Sequence, residues 1–122
     1  MNRTIPMQKW TTFSGATTAV KLVQPRSGWV DAGDAAEAVF DIQTIRADAR
    51  CSLKIMTAIS GEGPWKQVLA ITTNTMTHDQ TYAAAKEGAT RQFARLLRWE
   101  LDVTADTGTT WDMCFKICVT LR

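Results

Sequence analysis

The sequence predicts an all-β domain, an antiparallel β-sandwich of jelly-roll-like form with an extended N-terminal arm. Eighteen threonines, β-branched and suited to half-exposed pleated surfaces, stand in a chain of 122 residues. Several segments alternate apolar and polar side chains with a period of two, and turn residues separate them at fairly regular spacing. No repeated helical pattern lies between these segments, so a sandwich or jelly roll fits better than alternating strand and helix units.

Residues 1–20, MNRTIPMQKWTTFSGATTAV, carry apolar side chains only at intervals among Thr and small residues. They are expected as an N-terminal arm or edge strand, and residues 21–122 as the sandwich domain. Pro25-Arg26-Ser27-Gly28 is a turn signal, with short strands expected on either side, at Lys21–Gln24 and from Trp29. In Ala38–Ile45 the residues Ala38, Phe40, Ile42 and Thr44 alternate with Val39, Asp41, Gln43 and Ile45, which describes a half-buried strand with Phe40 and Ile42 inward. Cys51–Ala58 alternates again, with Leu53 and Ile55 on one face. Ser60-Gly61-Glu62-Gly63-Pro64 is the clearest turn in the chain, and with the strand-like run after Trp65 it predicts a hairpin across residues 51–73. From Asn74 to Thr90 the polar, Ala-rich sequence predicts mostly loop, with a helical turn at Thr81–Lys86. Leu97, Trp99, Leu101 and Val103 mark another strand, and Met113, Phe115, Ile117, Val119 and Leu121 form the cleanest alternation of all. These last two segments, joined by a turn at Asp106–Thr109, are expected to pair as a long hairpin.

Charge and composition narrow the partners. Fourteen basic and twelve acidic side chains give a net charge of +2, scattered along the chain, so no field of the kind that holds phosphate backbones is expected and nucleic acid is set aside. No window approaches eighteen apolar residues, which sets a membrane-spanning helix aside. MNRTIPMQKW lacks the apolar core of a secretory signal, so cytoplasmic synthesis is expected. An odd set of three cysteines then reads as reduced thiols. On a strand, Cys114 and Cys118 would share a face roughly 13 Å apart, too far for a bond between them. Their spacing is not that of a zinc ribbon, and small apolar filler is the better reading.

Catalytic chemistry finds little footing. His78-Asp79 is the only adjacent base and carboxylate, and it lies in the expected loop without a framed nucleophile. Asp31, Asp34 and Glu37 recur every three residues, as in oxygen-rich turns that can hold Ca²⁺, but not with the spacing of an EF-hand; a solvated turn is expected. Arg98, Glu100 and Asp102 read as a solvated strand face. Gly61 and Gly63 open a hairpin and are not a phosphate loop. No cofactor or metal is expected. Of the five Trp, most are expected in the core, and one or two on a binding face.

The segment LKIMTAISGEGPWKQVLAITT, Leu53 to Thr73, with its strand, Gly-rich turn, Trp and strand, resembles the central hairpin of galactose-binding-like or discoidin-like jelly rolls. ARLLRWEL, Ala94 to Leu101, is similar to a further strand of such domains. The resemblance implies a jelly-roll architecture and non-covalent recognition through loops at one end. It leaves sugar and protein both open as partners.

The expected role is therefore non-enzymatic: a structural or assembly protein that docks on copies of itself or on a larger particle such as a phage-like virion, capsid or injection apparatus. That contact is placed on the N-terminal arm, Met1 to Thr18, with Met1, Ile5 and Trp10 as its large apolar side chains. The alternative is a carbohydrate-binding module in which Trp65, with Trp29, offers a ring for a sugar to stack on.

Overall fold

A computed structural model describes residues 2–15, 19–47, 51–72, 78–104 and 111–122. Its strands are β1 (Arg3–Gly15), β2 (Val20–Val23), β3 (Val30–Asp31), β4 (Glu37–Ala47), β5 (Cys51–Ala58), β6 (Lys66–Thr72), β7 (His78–Ala85), β8 (Leu96–Val103) and β9 (Trp111–Leu121), with a 3-10 turn at Arg26–Gly28. The first sheet has the order β1-β9-β4-β7. The second has the order β2-β8-β5-β6, with β3 also on β8. All of the strand pairings are antiparallel. The chain changes sheet between β1 and β2, between β3, β4 and β5, and again between β6, β7, β8 and β9, which is the winding of a jelly roll.

Alternation explains which faces meet. In β9 the residues Met113, Phe115, Ile117, Val119 and Leu121 are buried, and the residues between them are half-exposed. Phe40 and Ile42 of β4 join them from the same sheet, and Leu53, Ile55, Leu97, Trp99 and Leu101 face them from the second. Two side chains of the first sheet, Phe13 and Phe115, pack on Trp99 with ring centroids 5.5 and 5.3 Å away. The indole N–H of Trp99 also donates to Gln8 Oε1 on β1 at 2.9 Å. Aromatic packing and a satisfied polar tip thus come from one residue.

Gln24, 3% exposed, closes the junction between the sheets. Its side-chain amide donates to the carbonyls of Met7 and Gly28, each at 2.8 Å, and its Oε1 accepts the Trp99 amide at 3.1 Å. Its own amide donates to the Trp99 carbonyl at 3.0 Å, and its own carbonyl accepts the indole N–H of Trp29 at 2.8 Å. The side-chain oxygen stands where a strand residue would offer its backbone carbonyl. β2 ends there, and the chain leaves the sheet at Pro25, which has no amide to extend the ladder.

Two expectations are corrected. Residues 78–85 are not loop or helical turn but the strand β7, paired along its length with β4. Ala83, Ala84 and Ala85 put the same small side chain on both faces, so the period of two is silent there although the backbone is extended. His78 and Asp79 accordingly begin a strand. The expected terminal hairpin is not formed either: β8 pairs with β2, β3 and β5, whereas β9 pairs with β1 and β4 in the opposite sheet. Alternation identifies a strand and its inward face but is blind to its partner. The expected turn at 106–109 lies outside the described residues.

Residues 3–15, expected as an arm or edge strand, form the 13-residue β1 at the edge of the first sheet. Met7 is buried and Ile5 and Phe13 are packed against the core. The Gln24→Met variant keeps the length of the side chain and leaves two carbonyls and one amide without their partner. It should lower the unfolding free energy by about 3 kcal/mol, read as a lower urea midpoint; a loss under about 1 kcal/mol would show that Gln24 does not hold the junction.

Candidate functional site

One end of the sandwich gathers the connections β2–β3, β3–β4, β5–β6 and β7–β8 together with the start of β1 and the end of β9, because Arg3 pairs with Leu121, Glu37 with Ala85 and Ala58 with Leu96. Backbone bonds knit this end: the Ala36 amide donates to the Arg122 carbonyl at 2.8 Å, the Lys86 amide to the Ala36 carbonyl at 3.0 Å, and the Lys86 ammonium to the Gly33 carbonyl. Asp31 accepts the guanidinium of Arg95 at 3.0 Å and the Gly33 amide at 2.9 Å. The Arg95 hydrogen bonds, with that of Gly33, hold its carboxyl below the ordinary carboxylate range, and the same contact raises Arg95. Of the three residues of the expected solvated turn, Asp31 and Glu37 are tied to cations of the protein itself, Glu37 standing 3.8 Å from Arg122, and Asp34 is exposed.

Trp29 and Trp65, 36 positions apart in sequence, meet here. Their ring centroids lie 4.8 Å apart in an edge-to-face arrangement. The Arg98 guanidinium sits 3.8 Å from the centroid of Trp65 and 5.2 Å from that of Trp29, while Arg26 stands 5.3 Å over Trp29. The β5–β6 turn allows this approach through Gly63, and the Arg26 guanidinium lies close to Gly61. Gly63 has φ +84°, a left-handed conformation that favours glycine. Both indoles are half-buried, and one face of Trp65 is covered by Arg98.

Beneath the indoles lies a buried charge that alternation alone places on a solvated face. Glu100 is 1% exposed. Its Oε2 accepts Arg98 at 2.8 Å, and Lys21 approaches Oε1 to 3.1 Å. The expectation of a solvated Arg98, Glu100 and Asp102 face is therefore corrected at Glu100. Only Asp102, paired with Lys54 at 2.6 Å, keeps substantial exposure. The reason lies outside the strand: Arg98 is pinned over the carboxylate by the stacked Trp65, so the pair is roofed and water is excluded. No signal in the order of residues marks this, because the roof comes from two distant loops.

The other expected binding residues sit elsewhere. Trp10 is 46% exposed and Lys116 Nζ lies 5.5 Å from its ring centroid. Ile5, also on β1, is partly buried against the core. Met1 lies outside the described residues. Cys114 and Cys118 share the outward face of β9, half-buried, and Cys51 is buried. Among the described residues, no group of three or more His, Cys, Asp or Glu is placed to hold a metal ion. Chemically, the site is a brace: Glu100, the one buried carboxylate among the described residues, is compensated, and the two indoles are engaged by guanidinium groups.

Removing Arg98 leaves Glu100 buried beside Lys21 alone, and loss of one partner of a buried pair is costly. Arg98→Ala should destabilise by about 3 kcal/mol, whereas Lys21→Ala, at an exposed rim, should cost under about 1 kcal/mol. Equal effects of the two variants in urea unfolding would contradict a roofed pair.

No protein-family model matches the chain, and no curated protein matches its sequence. In three dimensions the chain is similar to a structure of infectious bursal disease virus strain Gt, with a TM-score of 0.62 at 14% identity over 99% of this chain and 31% of that one. It is similar also to the VP2 subviral particle of infectious bursal disease virus, with a TM-score of 0.58 at 10% identity over 99% of this chain and 32% of the other. T=1 particles derived from the same virus give 0.54 at 13% identity, over 99% and 31%. The chain spans about a third of the length of those proteins. At these identities the likeness is one of fold: the resemblance expected from the sequence holds at the level of the β-sandwich.

Proposed function

We propose that this chain is a non-enzymatic structural domain, a jelly-roll building block that docks on copies of itself within a larger particle such as a virion or capsid. The observation that carries this reading is the likeness over 99% of the chain to about a third of the length of proteins solved as viral and subviral particles. The surface suits it. Large apolar side chains are exposed at separate places: Trp10 and Ile45 on the first sheet, Val23 on an edge strand of the second, and Ile59 beside the β5–β6 turn. A particle subunit has several neighbours and needs several contacts; a binding module needs one cleft.

The kind of contact follows from the strands. β1 carries Pro6 and two irregularities, between Pro6 and Gln8 and between Gln8 and Thr11, which are devices that blunt an edge against strand addition. Contacts through sheet faces and loop ends are therefore favoured over a donated N-terminal strand. In the second reading, a carbohydrate-binding module, a sugar would rest on the half-exposed indoles of Trp29 and Trp65, and their convergence at one loop end is the observation in its favour.

Light scattering with electron microscopy on the purified chain should show a defined oligomer or particle that grows with concentration. A monomer at every concentration would overturn the proposal, and saturable quenching of Trp fluorescence by a glycan in that monomer would establish the second reading in its place.

A further inference from the structure

The outer face of the first sheet is crossed by one row of side chains from all of its strands. The irregularity in β1 between Gln8 and Thr11 sets Lys9 and Trp10 together opposite Lys116 of β9, since Gln8 pairs with Ile117 and Thr11 with Phe115. The position of Lys116 Nζ over the Trp10 ring puts both on this face. Lys116 pairs with Gln43 of β4, and Gln43 pairs with Asp79 of β7, whose Oδ2 accepts the Gln43 amide at 3.1 Å. Asp41 and Ile45 flank Gln43 on the same face of β4. The row is thus basic at its β1 and β9 end, acidic at its β4 and β7 end, and bordered by two large exposed apolar groups, Trp10 at 46% and Ile45 at 49% exposure.

We infer that a second copy of this chain docks on this face, related by a two-fold axis that runs parallel to the strands between β9 and β4. This inference rests on the assembly reading and names one of its contacts. Rotation about that axis lays β1 of one copy over β7 of the other and β9 over β4. Lys9 and Trp10 then face the partner's Asp79, and Lys116 faces the partner's Gln43 with the partner's Asp41 and Asp79 beside it. The row is about 14 Å across at about 4.8 Å per strand, so opposite charges are brought together on both sides of the axis while Trp10 and Ile45 are covered. A two-fold axis perpendicular to the strands would instead set Lys116 on its own copy and Asp79 on its own copy. Like charges meeting in this way are penalised, and the sign pattern selects the parallel axis.

The test is a charge swap in the full chain between two exposed side chains, Lys9 and Asp79. Lys9→Glu and Asp79→Lys should each weaken self-association by about tenfold in sedimentation equilibrium, with thermal unfolding of the dilute protein unchanged. The double variant should recover the wild-type constant, as should an equimolar mixture of the two singles through a heterodimer. Wild-type association untouched by either single variant would overturn this face and leave the assembly reading standing on another. Two weakened singles with no recovery in the double variant would overturn the two-fold arrangement. A wild-type monomer at every concentration would overturn both.

Discussion

The side-chain amide of Gln24 is hydrogen-bonded at every polar atom inside the protein. Both of its N–H groups are donated, to Met7 in the first sheet and Gly28 in the turn, and its oxygen accepts the Trp99 amide in the second sheet. A buried amide left unpaired costs about twice what one made hydrogen bond contributes, so these groups are best satisfied together. Trp99 depends on that closure for its position. Its ring then supports Phe13 and Phe115 across the interior, and its indole N–H reaches Gln8. β1 is thereby held by a buried polar junction as well as by its ladder with β9, and the two sheets are coupled at one point.

The same residue sets the loop end. By substituting its side-chain oxygen for its backbone carbonyl on the ladder, Gln24 leaves that carbonyl to receive the Trp29 indole. Trp29 is then fixed against Trp65, and the two indoles orient Arg98 over Glu100. An ion pair so roofed adds little net stability over apolar residues of the same shape, but it is intolerant of losing either member. It ties the β2–β3 and β5–β6 loops to β8 through Trp29, Trp65 and Arg98.

Much of this was legible in the residue pattern. The inward faces of β4, β5, β8 and β9 follow from Phe40, Ile42, Leu53, Ile55, Trp99 and Phe115, because a two-residue period with one buried face has a single solution. Three things were not legible. β7 is hidden where Ala83 to Ala85 remove the contrast between faces. The separation of β8 and β9 into opposite sheets depends on pairings distant in the chain, and adjacent strands divided by a turn look alike whether they form a hairpin or cross between layers. The burial of Glu100 depends on a roof supplied by Trp65, far along the chain. Trp29 and Trp65 were singled out as exposed candidates for their residue type, yet nothing in the order of residues brings them together.

The dependence of the fold on the Gln24 junction is most directly read in the native-state hydrogen exchange of the Trp99 amide, whose acceptor is a side chain and not a strand. If the junction couples the sheets, this amide exchanges only when the whole domain unfolds, with an opening free energy equal to that from urea unfolding and to that of the central β9 amides. Exchange of the Trp99 amide through a local opening, well below the global value while β9 stays protected, would contradict the account.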